Sequence, residues 1–275
     1  MELRSEALAD FLLRHASLAV ISGAGVSTAS GIPDYRDRNG DWKYAQPIQY
    51  QDFVGNMDSR RRYWARSHVG WQRFSKARPN AAHYALADLE ATGKIDTLIT
   101  QNVDRLHSAA GSRHVIDLHG DLSIVRCLNC NTTLARFDYQ QQLKDANPAW
   151  HSNDFRYRAD GDAELADNSH HEFRVPDCSL CGGTVKPDVV MFGETVPKER
   201  VDSATTAVDR ADALLVVGSS LMLFSGFRFA RRASEQQKPI AVINQGRTRA
   251  DDIATLKVEA DCGNVLSAAV DLLAA

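Results

Sequence analysis

The sequence predicts an α/β fold built on a doubly wound parallel sheet, and three observations carry that expectation. Short apolar runs of strand length recur along the chain, helical patterns lie between several of them, and a glycine-bearing turn directly follows the first run. The runs are "LAVIS" (18–22), "IDTLIT" (95–100), "HVIDLH" (114–119), "ALLVVG" (213–218) and "PIAVIN" (239–244). Such near-continuous apolar runs belong to strands covered by helices on both faces.

Taken in order, Leu3, Ala7, Leu8, Phe11 and Leu12 recur at helical spacing ahead of the first run. Next comes "VISGAGVSTASGIPDYRD" (20–37). A dinucleotide fingerprint, Gly-x-Gly-x-x-Gly, needs one glycine to turn, a second to admit the pyrophosphate and a third for helix packing. Gly23 and Gly25 fit, but Thr28 stands in the third place. Gly-x-Gly alone therefore fits a plain strand-to-helix turn as well. Residues 38–78, rich in aromatics and arginine, lack a core strand and read as a helical insertion or mobile loop. Residues 120–186 break the strand–helix rhythm and read as a smaller inserted module, within which the role of the 138–175 insert stays open. The expected organisation is one catalytic unit over 1–275. A Rossmann-like domain takes 1–37, 79–119 and 187–275, and 38–78 and 120–186 make the smaller part.

The 275 residues are 44% hydrophobic and 24% charged with a formal net charge of -3, which describes an ordered globular protein. No apolar run approaches bilayer length, so no membrane partner is expected. The charge leaves no whole-molecule basic footprint for nucleic acid, and "SRRRYWARSH" (59–68) reads as a solvated helix face. The N-terminus mixes acidic residues into its first turns and resembles neither a signal nor a transit peptide, so a cytoplasmic setting is expected.

Four of the five cysteines form two Cys-x-x-Cys pairs, Cys127 with Cys130 and Cys178 with Cys181. Without a secretory signal this spacing points to a zinc ribbon rather than to disulfides, and four thiolates make a closed, structural site. "CLNC" and "CSLC" lack the basic-aromatic interleaving of a nucleic-acid-binding ribbon. His119 ends a strand-like run, and Asn102 and Asp104 follow another. Open α/β sheets bind ligands at the carboxyl ends of their strands, so these side chains are expected in the crevice. Asn102 also suits a helix cap, which is compatible with that role.

At "STASGIPDYRD" the chain resembles the sirtuin family, the NAD-dependent protein deacylases. The family signature Gly-Ala-Gly-x-Ser-x-x-x-Gly-Ile-Pro-Asp-Phe-Arg matches residues 23–36, with Tyr35 in place of phenylalanine. "TQNVDRLH" (100–107), "LHG" (118–120), the cysteine pairs, "KPDVVMFGE" (186–194), "GSSL" (218–221) and "VINQG" (242–246) follow in the family's order. The resemblance implies a turn that binds NAD without a third glycine. It also implies transfer of an acyl group from lysine to ADP-ribose with release of nicotinamide. His119 is then the general base, a role suited to an imidazole whose unperturbed pKa is about 6.5. Asn102 meets the ribose and an ordered water, and Asp104 with the Val103 backbone meets the nicotinamide carboxamide.

By the same resemblance Gly23, Ala24, Gly25, Asp34 and Gln101 line the cofactor site. Tyr35 covers the nicotinamide pocket, and Arg36 adds charge on a mobile loop. Gly218, Ser219 and Ser220 lie near the phosphates and Asn244 near the adenosine ribose. Cys262 either meets the adenine through its backbone or is simply a buried cysteine. Acyl-lysine proteins or peptides are clamped as an added strand between "DVVMFGE" and "SSLMLF", with Val190, Phe192, Gly193 and Leu221 as groove residues and Leu223 in groove or core. Tyr63 and Arg66, three apart, share one helix face. They resemble the Tyr-x-x-Arg pair of sirtuins that remove acidic acyl groups, although an exposed basic face accounts for them too. Tyr35 and the long insert before "VPDCSLCGG" resemble the mitochondrial class II and bacterial subgroup. Mono-ADP-ribosyl transfer to protein uses the same NAD site and is the competing activity. A non-catalytic NAD or acyl-lysine sensor is disfavoured by the presence of His119, Asn102 and Asp104.

Overall fold

Leu18 to Ser22 are buried without exception, as a strand with helices on both faces must be. The computed structural model describes residues 2–151, 155–158, 161–165 and 169–274. The chain divides into two compact units, one of Met1–Tyr44, Arg78–Leu118 and Val196–Ala275 and one of Ala45–Ala77 and His119–Thr195.

The first unit begins with α1 (Glu2–Arg14), β1 (Leu18–Ser22) and a 3-10 turn over Ala24–Ser30. It continues with α4 (Ala81–Ala91), β2 (Ile95–Thr100), α5 (Leu106–Ala110) and β3 (Val115–Asp117). It ends with α7 (Lys198–Arg210), β9 (Ala213–Val217), α8 (Phe224–Glu235), β10 (Ile240–Ile243), β11 (Leu256–Val258) and α9 (Cys262–Ala274). The strands pair in parallel in the order β11-β10-β9-β1-β2-β3. The order reverses between β1 and β9, and this is the switch point at which open sheets of this kind place their ligands. Helices α1, α4 and α9 pack together on one face, and α7 and α8 lie on the other. Leu8, Leu12, Val20, Leu86, Leu215, Ile243 and Leu266 form the core against α1, α4 and α9.

The second unit holds α2 (Tyr50–Gly55), α3 (Met57–Phe74), β4 (Gly120–Cys127), β5 (Thr133–Ala135) and α6 (Arg136–Ala146). Two short strands follow, β6 (Phe155–Tyr157) and β7 (Ala163–Leu165), and then β8 (Val185–Val189). Strands β5-β4-β8 make an antiparallel sheet, and β6 and β7 pair as a separate hairpin. Because β8 pairs with β4, residues 187–195 lie with the smaller unit rather than with the large sheet expected for them. Residues 38–44 lie with the first unit, where the Arg247 N–H donates to the Arg38 carbonyl at 2.8 Å.

The basic cluster of 59–68 is not one solvated face. Asn56 caps α3, its Oδ1 accepting from the Asp58 N–H at 2.8 Å, and the helix then turns Tyr63, Trp64, Ala65, Ser67 and His68 inward. Tyr63 and Trp64 join Phe53, Tyr139, Leu143 and Phe173 in the core of this unit. Arg136 is fully buried with them, donating to Gln140 Oε1 at 2.7 Å and to Ser67 Oγ at 3.2 Å, and lying over the Trp71 ring at 4.8 Å. Burial brings its pKa down to about 10. Parts of the 138–175 insert fall outside the described residues. No helix among the described residues is long and apolar enough to cross a membrane.

Candidate active site

The two glycine turns at the switch point explain each other. The Gly23 N–H donates to the Val217 carbonyl at 3.1 Å and the Gly25 N–H to the Gly218 carbonyl at 2.8 Å, which draws the ends of β1 and β9 into contact. A Cβ on Gly25 would stand 2.8 Å from the Gly218 oxygen, and one on Gly218, whose φ is +57°, would stand 2.4 Å from the Val26 nitrogen. Neither position admits a side chain, because the obstacle in each case is backbone. Thr28 is exposed and donates to the Gly25 carbonyl at 3.0 Å, so no close packing calls for a glycine in the third place. This glycine-built cradle, with the Ser219 side chain against Gly23, fits a dinucleotide phosphate.

A buried polar network lies between the carboxyl ends of β1 and β2. Asn102 Nδ2 donates to the Gly23 carbonyl and to Ser27 Oγ, both at 3.1 Å. Ser27 Oγ donates to Asp104 Oδ2 at 2.6 Å, and the Leu106 N–H donates to Asp104 Oδ1 at 2.9 Å, opening α5. Burial pushes the Asp104 carboxyl up from its ordinary value while these hydrogen bonds pull it back. Gln101 Nε2 donates to Ser219 Oγ at 2.7 Å, tying the β2 end to the β9 end. Asn244 follows β10, and its Nδ2 donates to the Gln245 carbonyl at 3.1 Å. Four strand ends thus bring Gly23, Gly25, Asn102, Asp104, Gly218, Ser219 and Asn244 to one edge of the sheet. Ser27 escaped the sequence reading. Its signal was only its place in the motif, three residues behind Ala24.

The segment 34–43 folds on itself. Arg36 donates to the Gly40 carbonyl at 2.7 Å and lies 4.1 Å over the Trp42 ring, Tyr35 meets Trp42 edge-on at 6.1 Å, and Asp34 pairs with Lys43. Cys262 is buried at the start of α9, where burial pushes its thiol up to about 12, a value that suits packing rather than reactivity.

In the second unit His119 directly precedes β4. Its carbonyl accepts the Val190 N–H at 2.7 Å, and the next residue, Gly120, has φ +93° with the Asp188 oxygen 2.1 Å from where a Cβ would sit. The "LHG" glycine is therefore required for β4 and β8 to close behind the histidine. The Phe192 carbonyl accepts the Tyr50 N–H at 2.8 Å, and Lys186, almost buried, is paired at 3.0 Å with Glu194, which accepts the Met191 N–H at 2.8 Å. These contacts fix 190–194, and the chain turns at Gly193, φ +79°, where the Glu194 N–H donates to the Met191 carbonyl at 3.0 Å. Leu221, with φ +53°, is 1% exposed and Leu223 is 36% exposed. In the first unit, then, the Leu221 side chain is buried, and Leu223 lies at the surface rather than in the core. Tyr63 is 8% exposed against Phe53 and Trp64, and Arg66 is bound from within. The Arg66 guanidinium meets Asp162 Oδ2 at 2.8 Å and donates to the Ala163 carbonyl at 2.8 Å.

The four paired cysteines converge. All their Sγ atoms lie within 4.8 Å of one another, with Cys127 and Cys181 at 3.5 Å and Cys130 and Cys178 at 3.7 Å. Sulfurs on a tetrahedral zinc with bonds near 2.3 Å stand about 3.8 Å apart, so the donor set fits a structural Zn²⁺. Hydrogen bonding with Thr132 brings the Cys130 thiol down to about 6, while its sulfur neighbours push Cys181 up to about 12. Four thiolates this close need a cation between them.

A sequence model of the Sir2 family matches residues 23–225, most of the chain and all of these sites save Asn244 and Cys262. The chain belongs to the Sir2 family. An NAD-dependent protein deacetylase of Xanthomonas axonopodis pv. citri is 55% identical over 260 residues, covering 94% of this Sir2 chain and 89% of the relative. The NAD-dependent protein deacylase Sirt4 of Drosophila melanogaster is 44% identical, covering 94% and 84%. Among solved structures, Sir2 bound to acetylated peptide is similar with a TM-score of 0.78 at 29% identity, covering 97% of each chain. Sir2 in complex with p53 peptide and NAD+ gives 0.75 at 29% identity, covering 97% of each.

Proposed function

We propose that this Sir2-family chain is an NAD-dependent protein-lysine deacylase. It moves an acyl group from a lysine side chain to the ADP-ribose of NAD and releases nicotinamide. The observation that carries the reading is the Gly23–Ser27–Asn102–Asp104 network at the carboxyl ends of β1 and β2, beside the switch point. Relatives of that activity at 55% and 44% identity support it.

In this reading the glycine turns and Ser219 receive the phosphates, Asn244 the adenosine ribose, and Asp104 with the Val103 backbone the nicotinamide carboxamide. An amide needs an acceptor and a donor opposite it, and a carboxylate beside a peptide N–H supplies both. The acyl oxygen attacks the nicotinamide ribose as nicotinamide leaves, forming an imidate. His119 then takes the proton of a ribose hydroxyl, which attacks the imidate carbon. Cys127, Cys130, Cys178 and Cys181 would hold a zinc ion with all four positions filled by thiolate, so it would supply structure and not chemistry. The acyl-lysine peptide pairs through its main chain with Val190, Phe192 and Gly193, a mode that binds many sequences with little discrimination. Tyr63 and Arg66 set the acyl preference, which favours acidic or longer groups over acetyl.

The purified chain is incubated with NAD and acetyl-, glutaryl- or hydroxymethylglutaryl-lysine peptide, and the products are identified by mass spectrometry. Nicotinamide release is expected to depend on peptide and to yield acyl-ADP-ribose, with turnover falling by about 10²-fold or more in His119→Ala. ADP-ribose appearing on an added protein, without peptide-dependent release, would overturn deacylation in favour of transfer. Bound NAD with no turnover of any kind would leave a sensor.

A further inference from the structure

Besides the cysteine cluster, the second unit brings together a different set of metal-ligand side chains. Asp58 lies in the first turn of α3, and His170 and His171 lie on a 3-10 turn, Ser169–Glu172, that packs against α3. His171 Nδ1 stands 2.7 Å from Asp58 Oδ1 and His170 Nε2 stands 3.5 Å from Asp58 Oδ2. The three ligand atoms all lie within 4.8 Å of one another.

We propose that Asp58, His170 and His171 form a second metal site, one that takes a divalent transition ion such as Zn²⁺. Two imidazole nitrogens and one carboxylate oxygen suit Zn²⁺, Co²⁺, Ni²⁺ or Cu²⁺ and do not suit Mg²⁺ or Ca²⁺, which take oxygen ligands. The site differs in kind from the closed four-sulfur cluster, because three protein ligands leave a fourth position for water. Access is direct. The His171 side chain is 57% exposed and that of Asp58 47%, while His170, at 9%, forms the inner wall.

The turn that carries the histidines is held before any ion arrives. The Phe173 N–H donates to the His170 carbonyl at 3.0 Å, and the Phe173 ring is fully buried, 4.8 Å from Trp150 and 5.6 Å from His68. The two imidazoles already lie 4.3 Å apart, each with a nitrogen toward the same carboxylate. Ligands on a tetrahedral ion with bonds of 2.0–2.1 Å stand about 3.3 Å apart, so modest side-chain rotation closes the set. The α3 N-terminus carries a partial positive charge that opposes a cation there. This site therefore fills after the cysteine cluster, and a bound ion ties the 3-10 turn to α3.

The full chain, carrying one zinc ion in its cysteine cluster, is titrated with Zn²⁺ against a chromophoric chelator and separately with Co²⁺. The expected result is a second equivalent of Zn²⁺. With Co²⁺, d–d absorption should appear without the thiolate charge-transfer bands that the cysteine cluster would produce. His171→Ala and Asp58→Asn alter exposed side chains and should keep the first zinc and the folded spectrum while weakening the second ion by about tenfold or more. A wild-type chain that binds one ion only, or variants that bind the second with unchanged affinity, would overturn the site.

Discussion

At the scale of single residues, Arg66 and Asp162 decide how far the Tyr-x-x-Arg pair can act on substrate. Both side chains are largely buried and meet at 2.8 Å. Burial pushes the Asp162 carboxyl up to about 6 against the pull of Arg66, Arg62 and Arg158. An acyl carboxylate reaching Arg66 would replace one carboxylate with another, so affinity for acidic acyl groups depends on how readily Asp162 yields. Arg66→Met removes the closest cation from a buried carboxylate, and breaking such a pair costs about 3 kcal/mol or more. A lower urea midpoint at unchanged m-value is the expected readout, with a deficit that shrinks from pH 7 toward pH 5 as the carboxyl takes up a proton. If the pair also reads the acyl group, the same variant loses glutaryl-lysine turnover more than acetyl-lysine turnover. Equal losses would leave Arg66 a purely structural residue.

At the scale of elements, legibility followed burial and length. The runs 18–22 and 95–100 became β1 and β2 with the bounds read from the sequence, because strands apolar on both faces announce themselves without periodicity. β11, three residues with a lysine at its centre, offered no such signal. β4 is eight residues long, but its register with β8 shifts between Asp121 and Val125, and a bulge erases the alternation that would have marked a strand. The cysteine spacing was legible because it reports ligand number directly, whereas the Arg66–Asp162 pair joins distant segments and leaves no local pattern. The two cysteine turns are also where this small sheet is most dependent on a ligand. Cys127 ends β4, and the Cys178 and Cys181 turn leads into β8. Structural zinc contributes about 10 kcal/mol or more in small domains, so chelation is expected to lower the melting temperature by about 10 °C or more. A metal-free chain with an unshifted melting curve would show that the thiols hold the turns unaided.

At the scale of the whole molecule, each unit buries histidines it cannot afford to charge, and acid stability follows from them. In the second unit His68 Nδ1 stands 3.0 Å from the Gln140 amide nitrogen, and burial, with Arg136 and Lys144 nearby, lowers its pKa to about 4. In the first unit burial lowers His83 to about 4 and, with His83 beside it, His107 to about 3. Their rings lie 4.8 Å apart, and His107 Nε2 meets Ser22 Oγ at 2.8 Å. The unfolded chain binds a proton at each near pH 6.5 and the folded chain resists it, so this stability is fully present above pH 6.5 and is lost as pH falls toward about 4. By pH 5 the loss is about 2 kcal/mol for each histidine, about 6 kcal/mol for the three, against a total stability of about 5–15 kcal/mol. Asp104 and Asp162, both raised by burial, act in the opposite direction and offset part of it. Urea unfolding at pH 7.5 and pH 5 should therefore show a large fall in midpoint, and folded-state NMR should find these three rings still neutral at pH 5. Rings that titrate near pH 6.5 in the folded chain, or a midpoint that does not move, would place the acid sensitivity elsewhere.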